Sequence, residues 1–359
     1  MKAKLVWIIG AVVAIAALAT GIIIGINIGR APEGESEAMT TTDEPKQTEN
    51  IDKRSVSYNG QLHVDGKSIK NQHDETVQLT GISTHGIQWF GDLYNAQAVA
   101  QLKKDFGINV FRIAMYTDPN ASGFIANNSL KDKVYELVDA AIKEDIYVIV
   151  DWHILHDNNP QTYQSQAINF FKEVTAKYGN TPNIIYEICN EPNSGTNWDS
   201  VRAYAEAVTP AIREKAEKAL VLVGTPDWSK DLDSAAKAPV SDKNTAYTLH
   251  FYSGTHKQEL REVITRARKR GLAVFVSECG ASDASGDGQL YADEFITWAD
   301  FMREKNISWT YWSFSNKNEV SAILQADYVP QYGDDFSFDN HLSESGKLLK
   351  RALNNKEEK

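Results

Sequence analysis

Two glutamates stand where this sequence can do chemistry. Glu191 lies in "NIIYEICNEP" (Asn183–Pro192) and Glu278 in "AVFVSECG" (Ala273–Gly280). Each ends an apolar run with the β-branched and aromatic character of a buried strand. Pro192, with no N–H to continue a ladder, stops the chain directly after Glu191. Two carboxyl groups brought face to face suit hydrolysis of a glycosidic bond: one, protonated, helps the leaving oxygen depart, and the other, ionised, attacks or stabilises positive character at the sugar carbon. The neighbours divide the labour. Arg112 is permanently charged and favours an ionised carboxylate beside it. Tyr252 offers a hydroxyl to that same carboxylate, and Asn190 offers N–H groups to a sugar hydroxyl. Trp89, Trp228 and Trp312 present flat apolar faces on which sugar rings can lie.

Placing such groups together is the work of the elements around them. From Ser55 onward strands and helices alternate. A small hairpin in Gln61–Lys70 turns at Asp65-Gly66. Strands are expected at 77–83, 109–115, 147–153, 183–188, 219–224, 246–252, 273–278 and 307–313. Between them lie helices at 96–107, 130–144, 165–179, 199–217, 258–271 and 292–305, with a last one near 343–353. Leu130, Val134, Leu137, Val138, Ala141 and Ile142, spaced by threes and fours, mark one buried helical face. The fifth crossover, Thr225 to Lys243, is the segment least like a helix. Continuous apolar strands joined by helical crossovers imply parallel pairing covered on both faces. Eight such units make an α/β fold, a closed (β/α)₈ barrel, with a doubly wound open sheet as the other architecture this pattern allows. No glycine-rich phosphate fingerprint follows the first strand.

A barrel gathers its functional groups at the carboxyl ends of its strands. There the sequence offers Ser83, Thr84 and His85 from the first strand, and Arg112 with Tyr116 from the second. Asp151 to His153 come from the third, and Asn190 and Glu191 from the fourth. His250 and Tyr252 come from the sixth, Glu278 from the seventh and Trp312 from the eighth.

The rest of the chain bounds the reading. The 359 residues carry a formal net charge of −11, and no basic patch is visible to neutralise phosphates, which argues against a nucleic-acid partner. Cys189 and Cys279 form no CxxC motif and read as free, partly buried thiols. Residues 1–30 hold Lys2 and Lys4 ahead of an uncharged apolar run, Leu5–Ile28, long enough to span a bilayer and longer than the core of a cleavable signal. With Glu33, Glu35 and Glu37 behind it, this predicts a single-pass anchor in the lipid bilayer with the catalytic part outside the cell; secretion after cleavage near Ala17-Leu18-Ala19 is the alternative. Residues 31–54, poor in large apolar side chains, read as a flexible acidic stalk, 55–353 as the catalytic domain and 354–359 as a tail. A monomer is expected.

Seven stretches occur in order: "GISTHGIQW", "GINVFRIAMY", "VIVDWHI", "NIIYEICNEP", "LHFYSGTH", "VFVSECG" and "YWSFSNKNE". Together, over nearly all of Ser55 to Leu353, they resemble the glycoside hydrolase family 5 cellulases, bacterial endo-1,4-β-glucanases. The resemblance implies a (β/α)₈ barrel, a retaining double displacement and no required metal or other cofactor. It implies Glu191 as general acid/base and Glu278 as nucleophile, supported by Arg112, His153, Asn190, His250, Tyr252 and Trp312. It places His85, Trp89, Tyr116, Trp228, Lys317 and Glu319 along a cleft that grips a β-glucan. Cys279, after the nucleophile, departs from the aromatic residue common there.

Three other readings compete. A β-mannanase or another β-1,4-glycanase would use the same two glutamates. A metal-dependent barrel hydrolase would draw ligands from Asp151, His153, His156, Asp157, His85 and His250, but no HxH or HExxH spacing is present. A surface protein that only binds polysaccharide would have no use for an acid facing a base.

Overall fold

The computed structural model describes residues 52–333 and 336–354. A short helix α1 (Val56–Asn59) and a two-stranded hairpin, β1 (His63–Asp65) and β2 (Ser68–Lys70), precede the barrel. Helix α1 is too short for a hydrophobic period to reveal it.

Eight parallel strands then close on themselves: β3 (Thr80–Thr84), β4 (Val110–Tyr116), β5 (Tyr147–His153), β6 (Ile184–Glu187), β7 (Val221–Gly224), β8 (Thr245–Tyr252), β9 (Val274–Gly280) and β10 (Trp309–Phe314), with β10 pairing back to β3. The closed barrel decides against the open sheet. Helices α2 (Ala96–Phe106), α3 (Leu130–Lys143), α4 (Gln164–Tyr178) and α5 (Trp198–Arg213) form the first part of the outer layer. The fifth crossover holds only the irregular turn α6 (Pro226–Ser229) and the short α7 (Leu232–Lys237). Helices α8 (Gln258–Lys269), α9 (Ala292–Glu304) and α10 (Glu344–Asn354) complete the layer. Helix α2 shows how the sequence sets the boundaries: Asn95 accepts from the Ala98 N–H at its start, and Gly107, at φ 62°, ends it in the left-handed conformation.

Strand alternation sorts side chains into two cores. Phe111, Val148, Trp152, Leu249 and Phe251 pack outward against the helices. Val110, Tyr147, Ile149, Ile185, Leu222, Ala246 and Phe275 fill the barrel interior. Further along the same inward faces the fill turns polar: Arg112 on β4, Asp151 and His153 on β5, Glu187 on β6 and His250 on β8, all buried. The barrel thus has an apolar floor beneath a charged upper layer. Gly81 permits its closure, since a Cβ there would sit 1.8 Å from the Val110 carbonyl oxygen.

Strand β9 breaks the alternation. Across from β8, Thr248 pairs with Phe275 but His250 pairs with Glu278, so three steps on β9 oppose two on β8. Against β10, Trp309 pairs with Val276 and Tyr311 with Cys279, again three steps against two. This is a β-bulge, a device that re-aims side chains beside active sites. It turns both Ser277 and Glu278 into the barrel and sends Cys279 to the outer core.

Cys189 and Cys279 are free, and both are fully buried, deeper than their strand-end positions imply. The apolar run Leu5–Ile28, the stalk before Asp52 and the tail after Asn354 lie outside the described residues. No described helix is long and apolar enough to cross a membrane.

Candidate active site

Beyond the carboxyl ends of the strands lies an open cleft of about 550 Å³. Twelve of the fourteen side chains expected from the sequence line it: Glu191, Glu278, His153, His250, Tyr252, His85, Trp89, Tyr116, Trp228, Trp312, Lys317 and Glu319. Arg112 and Asn190 lie buried below and hold the lining groups in place.

Glu191 and Glu278 face each other. One oxygen from each, together with a His250 ring nitrogen, falls within 4.8 Å of the others. Strand β6 ends at Glu187, earlier than the sequence indicates, so Asn190 and Glu191 sit in an extended segment beyond it. That segment stays against β5 through Asn190 N–H to the Trp152 carbonyl (3.3 Å) and Glu191 N–H to the Ile154 carbonyl (3.4 Å). It also runs close to β7, where a Cβ on Gly224 would come 2.2 Å from the Cys189 carbonyl oxygen.

Glu278 is gripped from two sides. Tyr252 Oη donates to Oε1 at 2.7 Å, and Arg112 Nη1 donates to Oε2 at 3.1 Å. The same guanidinium donates to Glu187 Oε2 through Nε (2.7 Å) and to Asn190 Oδ1 through Nη2 (2.7 Å), and Nη2 lies 2.9 Å from Asp151 Oδ2. Burial works against the Arg112 charge, but Asp151, Glu187 and Glu278 outweigh it and hold the proton more firmly than usual. Burial likewise opposes ionisation of Glu187, yet Arg112 and His250 bring its carboxyl down to about 2.

The histidines are fixed by their neighbours. Asn190 spends its Oδ1 on Arg112, so its Nδ2 donates to His153 Nε2 at 3.2 Å. His153 then carries its proton on Nδ1, 2.6 Å from Asp151 Oδ2. Burial, with Arg112, lowers its pKa to about 3 and keeps the ring neutral. His250 behaves oppositely. Its Nδ1 lies 2.9 Å from Glu191 Oε1, and despite burial Glu187 and Glu191 raise its pKa to about 9. Burial pushes the Glu191 carboxyl up, but the hydrogen bond from His250 and the charges of His250 and Arg112 leave it below its usual value.

Aromatic faces line the rest. The Tyr116 ring centre lies 4.1 Å from that of His153, and Trp312 stacks on the same histidine at 17°, with ring centres 5.5 Å apart. Trp89 and Trp228 stand at the rim, 47% and 45% exposed. Trp228 belongs to a left-handed stretch, with φ of 58°, 55° and 53° at Asp227, Trp228 and Ser229. Such backbone costs about 1–2 kcal/mol per residue outside glycine. It is held by Trp228 N–H to the Pro192 carbonyl (3.1 Å) and Ser229 Oγ to the Asn190 carbonyl (2.6 Å), which tie this turn to the segment bearing Glu191. Lys317 pairs with Glu319 at 2.6 Å, and the Glu319 carboxylate is nearly buried. His85 is kept neutral by burial and by Lys317, which lower its pKa to about 3.

A family model, "Cellulase (glycosyl hydrolase family 5)", matches residues 70–318. The chain belongs to this family. It is 45% identical over 300 residues to an endoglucanase of Clostridium saccharobutylicum, covering 83% of this chain and 66% of that protein. It is 46% identical over 299 residues to endoglucanase N of Pectobacterium atrosepticum, with the same two coverages. The chain therefore spans just under two thirds of the length of these relatives. Among solved structures, the catalytic domain of Thermobifida fusca endoglucanase Cel5A in complex with cellotetraose superposes with a TM-score of 0.77 at 32% identity, covering 83% of this chain and 98% of that one.

The sequence reading passed over Glu187 and Ser277, which join the charged layer under the cleft, and Lys230 and His256, which line its wall. The signal for Glu187 was present: it shares the inward face of Ile185, two residues before it. The six side chains proposed as metal ligands do not come together. His156 is exposed and lies near Asp118, while His153 is committed to Asp151 and Asn190. Among the described residues, the one group of three potential ligands is Glu191, His250 and Glu278.

Proposed function

We propose that this chain is a retaining endo-1,4-β-glucanase with Glu278 as nucleophile and Glu191 as general acid/base. The observation that carries this is the pair of facing carboxyl groups with oxygens no more than 4.8 Å apart. That separation favours direct attack over activation of an intervening water, for which the carboxyl groups stand roughly 6.5–9.5 Å apart. In the first step Glu278 attacks the anomeric carbon, the glycosidic bond breaks, and Glu191 protonates the departing oxygen. In the second, Glu191 takes a proton from water, the water oxygen attacks the same carbon, and Glu278 leaves as a carboxylate. Two inversions give net retention.

The surroundings support the roles. Arg112 and Tyr252 hold Glu278 by charge and hydrogen bonding while leaving each oxygen a free lone pair. The cleft is open, which suits attack within a chain, and Trp89 and Trp228 at its rim offer stacking faces to either side. The names of the two relatives described above, both endoglucanases, favour a β-1,4-glucan over mannan. Incubation with carboxymethylcellulose, barley glucan and mannan in parallel tests this. Viscosity falling ahead of reducing-end release on the glucans is expected; release from mannan alone would contradict it.

A further inference from the structure

We propose that Glu187 and Ser277 act through His250 as positioning residues for the acid/base proton, fixing the ring so that His250 Nδ1 and Glu191 Oε1 share one proton. This rests on the reading of Glu191 as acid/base. The inference is one of hydrogen-bond polarity. Glu187 is buried with Arg112 Nε at 2.7 Å from its Oε2, so it is ionised and can only accept. Ser277 Oγ, 2.6 Å from Glu187 Oε1, spends its single hydrogen there. It has only lone pairs left for His250 Nε2, 3.0 Å away, so Nε2 carries a hydrogen. Nδ1 alone is left to exchange a proton, and its partner at 2.9 Å is Glu191 Oε1. The β9 bulge makes the chain possible, because it points Ser277 and Glu278 inward together.

The ionisable groups facing His250 come from several elements. Glu187 on β6 and Glu191 after it stand on one side, and Glu278 on β9 on another. Arg112 on β4, with Asp151 and His153 on β5, completes the charged layer, and Tyr252 follows on its own strand. Glu187, 3.9 Å from Nε2, stabilises the ring cation directly. In the glycosylation step the Glu191–His250 pair loses its shared proton to the leaving oxygen, leaving a carboxylate and a neutral ring. In deglycosylation the attacking water returns a proton to the pair. Loss of that proton in the resting enzyme sets the basic limb of the pH profile.

Glu187→Gln removes the charge behind the ring, and Ser277→Ala removes the link. The basic limb of kcat/KM on an unactivated oligosaccharide is expected to move to lower pH, by roughly 1–3 pH units for Glu187→Gln and by less for Ser277→Ala. Nitrogen-15 NMR of the wild-type ring above its pKa needs no variant: Nε2–H as the neutral form is expected. A neutral Nδ1–H form, or limbs unmoved in both variants, overturns the proposal. Glu191→Ala separates this from the underlying reading. It should lower kcat/KM for unactivated substrates far more than for aryl glycosides with good leaving groups, whose first step needs no acid. If it does so while the limbs stay put, only the proposal falls; if it slows both equally, the acid/base assignment falls with it.

Discussion

Arg112 is where the fold and the chemistry meet most tightly, and Arg112→Met tests both. The side chain is fully buried and serves Glu187, Asp151 and Glu278 at once. Met keeps much of the volume and removes the shared cation. At Glu187, Arg112 and His250 together outweigh burial and bring the carboxyl from 4.5 to about 2, a net gain of about 3 kcal/mol that is lost without the Arg112 cation. Removing one partner of a buried ion pair costs roughly 3–5 kcal/mol, which agrees. The sign follows from the folded value lying below the unfolded one. In the wild type this contribution is complete above about pH 4.5 and is lost as pH falls towards 2. In the variant the stranded carboxyls take up protons readily, so its deficit shrinks on acidification. Urea unfolding at pH 7 and pH 4 reads this. A loss of about 3 kcal/mol or more at pH 7 is expected, at least halved at pH 4. A deficit of the same size at both pH values, or one below about 1 kcal/mol at pH 7, would refute the reasoning.

Other outcomes follow from single positions. Trp89→Ala and Trp228→Ala should leave the unfolding midpoint unchanged, because both rings are about half exposed. Each should weaken binding of cello-oligosaccharides by roughly 0.5–1.5 kcal/mol in calorimetry. Gly81→Ala should destabilise or prevent folding, since the new Cβ would meet backbone at 1.8 Å with nowhere to move; circular dichroism melting checks it. We also propose that the apolar run Leu5–Ile28 tethers the catalytic domain outside the cell. Membrane fractions should hold chains with an intact N-terminus, and a mature chain starting near Thr20 would contradict the tether.

The barrel was legible because its strands announce themselves. Runs such as "YVIVDWH" are apolar on both faces, and the helices between them carry their period plainly. The polar residue types at the strand ends were legible for the same reason, as interruptions of an apolar text. Glu187 escaped because the expected strand runs past it to Ile188, so that only the period of two, and not a visible strand end, gives its direction. The bulge in β9 escaped because no glycine or proline marks it; it exists only in the register with β8 and β10. The left-handed turn at 227–229 escaped for the opposite reason: its residues are ones that ordinarily avoid that conformation, and tertiary hydrogen bonds to Pro192 and Asn190 impose it. Both devices act by aiming a side chain at the cleft.

In the proposed reaction Glu278 bonds covalently to the sugar carbon while Glu191 handles the proton. A cellobiosyl donor with fluorine at C2 and a good leaving group slows the second step more than the first, so the covalent species accumulates. Mass spectrometry of the trapped and digested enzyme should find one cellobiosyl unit per chain, on the peptide carrying Glu278. A label on another residue, or turnover of the donor to product with inverted configuration and no adduct, would contradict it.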